Sequence, residues 1–351
     1  MLFFSAEFLF IFLPIVILLT YLSHRFISPI YSLFFLSLSS IIFYSVHNIK
    51  SVYIILFSIL FNFLMCKKIA KNKNIMIYFF TIFTNLLLLG YFKYRNFFIE
   101  NFNYVFYSNF QIIDLIIPLA ISFYTFQQIS YIIDIYNDRV EAVSFKEYLF
   151  FISFFPQLIA GPIILMEEMR EQISNFLKKD YKIFKYFVFG FFIFTIGLFK
   201  KIVIADTIGI YVDEWFVNLA YLNFYESWIA IICFAIQIYF DFSGYTDMAI
   251  GLALLFGFKL PINFKLPYKS LSIIEYWQKW HITMTRFFMN NIYVPIAVNF
   301  SRKYYDRNLS LIISSIALPS LLTFFLSGLW HGAGWKFTIF GLIHGIAIVI
   351  N

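Results

Sequence analysis

Cysteine is almost missing from this chain: 351 residues contain two, Cys66 and Cys233, each in or beside an apolar stretch. Their spacing suits neither a metal site nor a redox pair. Both read as buried thiols behaving as small hydrophobes. Charge is scarce too, at 13% of residues, and this excludes a soluble globular chain. No segment rich in Pro, Gly or Ser divides the sequence and no repeat of useful length recurs, so residues 1–351 read as one integral membrane domain. The five histidines show neither His-x-x-x-His nor His-Glu-x-x-His spacing, which argues against a zinc hydrolase and for no metal. No Gly-x-Ser-x-Gly elbow and no phosphate-cradling glycine loop occur.

What is abundant is hydrophobicity: 62% apolar residues and a mean hydropathy of +0.81. Apolar runs long enough to enter a bilayer recur at about 8–22, 30–46, 52–66, 75–92, 112–133, 148–165, 183–205, 227–240, 244–258, 286–300, 309–329 and 335–350. The expectation is an all-α polytopic membrane protein with roughly ten to twelve membrane-embedded segments, some too short or broken to span. The first run has no basic residue before it, contains Pro14 and lacks a small-x-small cleavage pattern, so it reads as a retained helix. The 51 phenylalanines, with many Ile, Asn, Lys and Tyr, suggest an AT-rich bacterial genome, hence a multi-pass protein of the bacterial inner membrane.

The net charge of +7 is what cytoplasmic lysines give any such protein, and nothing gathers it into a nucleic-acid face. Lys67, Lys68, Lys71 and Lys73 form the densest basic stretch and place the 67–74 connection in the cytoplasm. Counting spans from there puts His24, Arg25 and the 134–147 loop on the same side and the N-terminus outside.

Two stretches break the monotony. In Phe151-Ile152-Ser153-Phe154-Phe155-Pro156-Gln157-Leu158-Ile159-Ala160-Gly161-Pro162, the prolines and glycine interrupt any helix. Two readings are open, a re-entrant element and a kinked helix. The second stretch, 239–295, is the polar-rich part of the apolar chain and ends its tryptophan cluster in Trp277-Gln278-Lys279-Trp280-His281. A helix over 272–288 would put Trp277 and His281 on one face; an interfacial helix without chemistry is the competing reading.

Fifty positions later, His331 stands in Trp330-His331-Gly332 between apolar runs. An ionisable group at membrane depth costs a few kcal/mol and marks a functional site by default. The alternative lies in Gly328 to Gly332 and Gly341 to Gly345, small-xxx-small patterns that bring helices together and make His331 and His344 interhelical hydrogen-bonding groups.

Four segments in order resemble the membrane-bound O-acyltransferase family, in its bacterial alginate and peptidoglycan O-acetyltransferase branch: Phe242-Ser243-Gly244-Tyr245-Thr246-Asp247-Met248-Ala249-Ile250-Gly251, Asn263-Phe264 to Pro267-Tyr268, Trp277 to Thr283, and Leu329 to Trp335. Ser122 to Gln127 and Phe155 to Pro162 extend the resemblance over most of 115–350. The teichoic-acid D-alanyl transfer protein resembles it too, as a nearer cousin than the eukaryotic lipid enzymes. The resemblance implies a ring of membrane helices with re-entrant segments around a central tunnel. There a cytoplasmic thioester, expected to be acetyl-CoA with no bound cofactor, meets the hydroxyl of a cell-surface or periplasmic polysaccharide.

It also implies His331 as the essential histidine and His281 as its companion. Trp277, Trp280, Trp330, Ser327, Asp241 and Asp247 are the candidate substrate-contacting residues, Ser327 as the group one turn before His331 that orients its ring. Burial is expected to keep the imidazole neutral and available as a base. A partner acetyltransferase outside the membrane is expected to receive the acyl group. D-alanyl transfer to teichoic acid, and a transporter or export component relaying protons through His281 and His331, are the rival functions; a scaffold without catalysis is a third. The sequence departs from the family where Arg-Asp-Tyr is usual and Met289-Asn290-Asn291-Ile292-Tyr293 stands, and it ends 20 residues past His331, where members normally continue. The second departure reads as a truncated product or a shorter final bundle.

Overall fold

The computed structural model describes residues 1–302 and 313–351, and among them every regular element is helical. Among the described residues six helices are long and apolar enough to cross a membrane: α1 (Phe8–Ile27), α3 (Ile49–Asn72), α4 (Ile75–Phe106), α9 (Ile183–Val217), α10 (Phe224–Leu255) and α14 (Ile313–His331). Two shorter apolar helices, α2 (Pro29–Ser45) and α15 (Trp335–Ile350), join them. The remaining α-helices among the described residues are α5 (Ile121–Tyr136), α6 (Phe145–Ser153), α7 (Phe155–Leu158), α8 (Met166–Phe176), α11 (Ile273–Lys279), α12 (Ile282–Phe288) and α13 (Val294–Ser301).

This spacing is coarser than the hydropathy pattern. The runs at 227–240 and 244–258 fuse into α10, because Gly244 packs against a neighbouring helix instead of breaking its own. The first half of the 112–133 run forms no helix before Ile121. The start of the 309–329 run lies outside the described residues. The basic stretch after Lys67 forms the last turns of α3, not a loop, and Asn74 immediately caps α4 by accepting from the backbone N–H groups of Met76 and Ile77 at 2.8 and 3.3 Å.

The chain divides into two compact units. The first comprises Met1–Val52 and Val143–Asn263. There α1 and α2 fold back at Ser28-Pro29, where Ser32 donates to the Thr20 carbonyl at 3.1 Å and lies 2.9 Å from the Ser23 hydroxyl. α6 ends at Ser153, and the single turn α7 starts with Pro156 among its opening residues. A nine-residue helix reaches only about 14 Å, so this segment is broken as its prolines predict and neither piece can span. Phe3, Phe8, Phe43 and Phe155 pack around it, all fully buried. α9 and α10 cross in backbone contact: a Cβ on Gly197 would lie 2.5 Å from the Met248 nitrogen and 2.6 Å from the Gly244 carbonyl.

The second unit comprises Tyr53–Ala142 and Phe264–Asn351. A buried amide cluster ties α3, α4 and α5 together. Asn62 and Asn85 exchange hydrogen bonds of 3.0 and 2.7 Å, while Asn62 and Ser58 both donate to Gln128 Oε1, at 2.9 and 2.8 Å. Lys73 closes the end of α5 by donating to the Ile135 and Tyr136 carbonyls at 2.8 and 3.0 Å. α14 and α15 form a hairpin about Gly332 to Gly334, drawn so close that a Cβ on Gly328 would lie 2.4 Å from the Phe337 carbonyl.

Candidate active site

The second unit brings the two candidate histidines together around one indole. Trp330 is buried, with its ring centroid 5.8 Å from that of His281 and 4.9 Å from that of His331. His281 is fully buried, whereas His331, at the end of α14, is exposed. Burial first, and then the nearness of a second protonatable imidazole, that of His331, hold the His281 imidazole below its ordinary value of 6.5.

His281 also overturns the expected helix over 272–288. α11 ends at Lys279, and His281 adopts the left-handed conformation (φ 45°) ahead of α12. The break separates it from the face of Trp277. Trp277 turns to α15 instead, where its Nε1–H donates to His344 Nδ1 at 3.4 Å and its ring packs edge-on to that imidazole. His344 is thus an interhelical hydrogen-bonding group, as its glycine setting suggests. Rings continue from His344 through Phe340 to His331, with centroid separations of 4.6 and 6.0 Å.

The other sequence candidates distribute as follows. Trp280 is buried in an aromatic cluster with Phe264, Tyr268 and Tyr276. Ser327 is buried on α14 one turn before His331. Asp241 and Asp247 belong to the first unit, where each ion-pairs at 2.6 Å: Asp241 with Lys201 and Asp247 with Lys200. Lys201 also meets Asp206 at 2.6 Å. Among the described residues no three His, Cys, Asp or Glu side chains converge to hold a metal.

Sequence reasoning missed Lys93 and Tyr94. Both leave α4 at a wide π turn, Gly90–Tyr94, and reach the end of α14. Tyr94 donates to the Leu329 carbonyl at 2.7 Å; Lys93 donates to the Trp330 carbonyl and, at 3.2 Å, to the Ser122 hydroxyl. A lysine within an apolar span was a readable signal, but the partner 237 residues away was not. An apolar cavity of about 780 Å³ adjoins the same indole, lined by Tyr94, Phe126, Phe287, Asn291, Trp330 and Trp335 among others. An exposed imidazole beside a sealed one, set in aromatic walls, can accept a proton from a hydroxyl delivered to it.

Known proteins resemble this chain in sequence. A peptidoglycan O-acetyltransferase of Helicobacter pylori is 43% identical over 75% of this chain and 53% of its own length. A protein of Azotobacter vinelandii named "probable alginate O-acetylase AlgI" is 37% identical over 75% of this chain and 51% of its own. A teichoic acid D-alanyltransferase of Bacillus subtilis is 27% identical over 66% of this chain and 58% of its own. The chain spans about half the length of the curated relatives it matches. The model of the membrane-bound O-acyltransferase family matches residues 138–350, so this chain is a member of the membrane-bound O-acyltransferase family.

Proposed function

We propose that this chain carries the reaction centre of a multi-pass O-acetyltransferase of the bacterial inner membrane, moving acetyl groups from a cytoplasmic thioester toward a polysaccharide outside the cell. The observation that carries the reading is the open His331 imidazole set against the sealed His281 across Trp330. His331 is the base. As the acceptor oxygen attacks the acyl carbonyl, the hydroxyl proton passes to the imidazole; the C–S bond then breaks and the imidazolium gives that proton to the leaving thiolate. One ester forms, one thioester is lost, and the imidazole ends neutral. His281, fully enclosed, acts by holding Trp330 and not by touching substrate.

Acetyl-CoA is the proposed donor, with no bound cofactor, and an alginate-like polymer or peptidoglycan the proposed acceptor, reached through a partner acetyltransferase. The ring of ten to twelve membrane-embedded helices around a central tunnel is part of the same proposal. The relatives with the higher identities are named as O-acetyl-transferring proteins and the D-alanyl one stands lower; this favours acetyl over D-alanyl. The test is ester-linked acetate released by mild base from cell-envelope polysaccharide, comparing the intact protein with His331→Ala at equal membrane abundance. Loss of acetate is expected. Unchanged acetate sinks the proposal, and a loss of D-alanyl ester in its place moves it to the teichoic acid reading.

A further inference from the structure

α14 ends abruptly at His331. Gly332 is extended (φ −170°, ψ 154°), so no left-handed residue turns the chain back to cap the last turn. The final carbonyls of a helix have no partners of their own, and hydrocarbon supplies no water to satisfy them. In this unit another helix supplies the donors: the Tyr94 hydroxyl takes the Leu329 carbonyl and the Lys93 ammonium takes the Trp330 carbonyl. Two turns further along α4, Asn101 accepts a 2.8 Å hydrogen bond from Trp335 Nε1–H, so α4 grips the chain on both sides of Gly332 to Gly334.

A neutral donor would satisfy the Trp330 carbonyl with less desolvation than a lysine. The charge therefore has a task beyond capping. It complements the negative end of the α14 dipole and lies 5.6 Å from the centre of the Trp330 indole, the ring on which both histidines rest. The ammonium is also within Coulombic reach of His331, as is the imidazole of His344.

Resting on the acyl-transfer reading of this centre, we propose that Lys93 is its positioning residue: a membrane-embedded cation that pins the last turn of α14 and the Trp330 ring, so that His331 is presented to the acyl donor. It acts through His331 and touches no reactant itself.

The test uses the full-length protein in native membranes of its host, where the proposed partner acetyltransferase is present, with acetyl-CoA as probe and cell-envelope polysaccharide as acceptor, reading thiol release that depends on this protein per folded molecule. Lys93→Met is expected to lower kcat at least tenfold while KM for acetyl-CoA stays within twofold, and Lys93→Arg to recover a third or more of the lost rate. A lysine that only stabilises the fold would lower the thermal midpoint and leave kcat per folded molecule unchanged; that result overturns the proposal, as does Lys93→Arg falling as far as Lys93→Met. Should Lys93→Met fail to reach the membrane, Lys93→Gln, which keeps a donor without the charge, carries the same expectation. His331→Ala separates the two ideas. An inactive His331→Ala with a fully active Lys93→Met removes only the role of Lys93, whereas wild-type protein without thiol release, or a fully active His331→Ala, removes the acyl-transfer reading and this proposal with it.

Discussion

The phenol of Tyr94 donates a 2.7 Å hydrogen bond to the carbonyl of Leu329, joining residues 235 apart in sequence. The bond lies one peptide from Trp330 and two from His331, so it bears on where the imidazole sits. Tyr94→Phe removes only the hydroxyl. A hydrogen bond of this kind contributes about 1 kcal/mol net, so acyl transfer is expected to fall about fivefold and the thermal midpoint by a few degrees. Rates within experimental error of wild type would show that the last turn of α14 needs no such tether.

The burial of His281 predicts a pH dependence of stability. Its folded-state value lies below 6.5, so as the pH falls through 6.5 the unfolded chain takes up a proton that the folded chain refuses. Stability is therefore complete above that value and is lost as the pH decreases. The thermal midpoint of the wild-type protein should drop on going from pH 7 to pH 5, and His281→Asn should flatten that part of the dependence. Equal slopes in the two proteins would place the titrating group elsewhere.

Close backbone approach sets the α14 and α15 hairpin, and its glycines are not equivalent. A Cβ on Gly341 would meet the Phe324 carbonyl at 2.3 Å, while one on Gly345 would meet side chain and Cα atoms at no less than 3.2 Å. Gly341→Ala is expected to lower membrane abundance severalfold and abolish activity by parting the helices, whereas Gly345→Ala should keep at least half of both. Fluorescence-detected size exclusion of tagged variants measures the first, and released ester acetate the second.

The charges of the first unit separate a structural role from a substrate-contacting one. Asp247→Asn leaves Lys200 without its ion-pair partner, whereas Asp241→Asn leaves Lys201 still paired with Asp206. The first change should therefore destabilise more, by about 2 kcal/mol for a half-buried pair. The double change Lys200→Met with Asp247→Leu should restore the thermal midpoint. If the double variant also regains activity, Asp247 serves the fold; if it regains stability alone, Asp247 contacts substrate as its motif suggests.

Sequence and structure divide the account at specific residues. The amphipathic reading of 272–288 failed at His281 because one left-handed residue redirects the chain, and periodicity does not register a single φ. Trp277 accordingly partners His344, and the ring that joins the two candidate histidines is Trp330, the neighbour of one and 49 positions from the other. The runs at 227–240 and 244–258 looked separate because Asp241 and Ser243 lie between them, but Asp241 ion-pairs with Lys201 and α10 continues through.

Composition alone determined that this is a helical, multi-pass membrane protein, since so apolar a chain must satisfy its backbone within its own helices. The ordered motifs around Asp247, His281 and His331 determined the family, because local sequence carries that pattern without reference to folding. Only the tertiary structure decided which histidine is open and which is sealed, and that Lys93 and Tyr94 hold the end of α14. Exposure and hydrogen bonding depend on what distant segments place beside a residue, and those partners are set by helix packing, not by chain order.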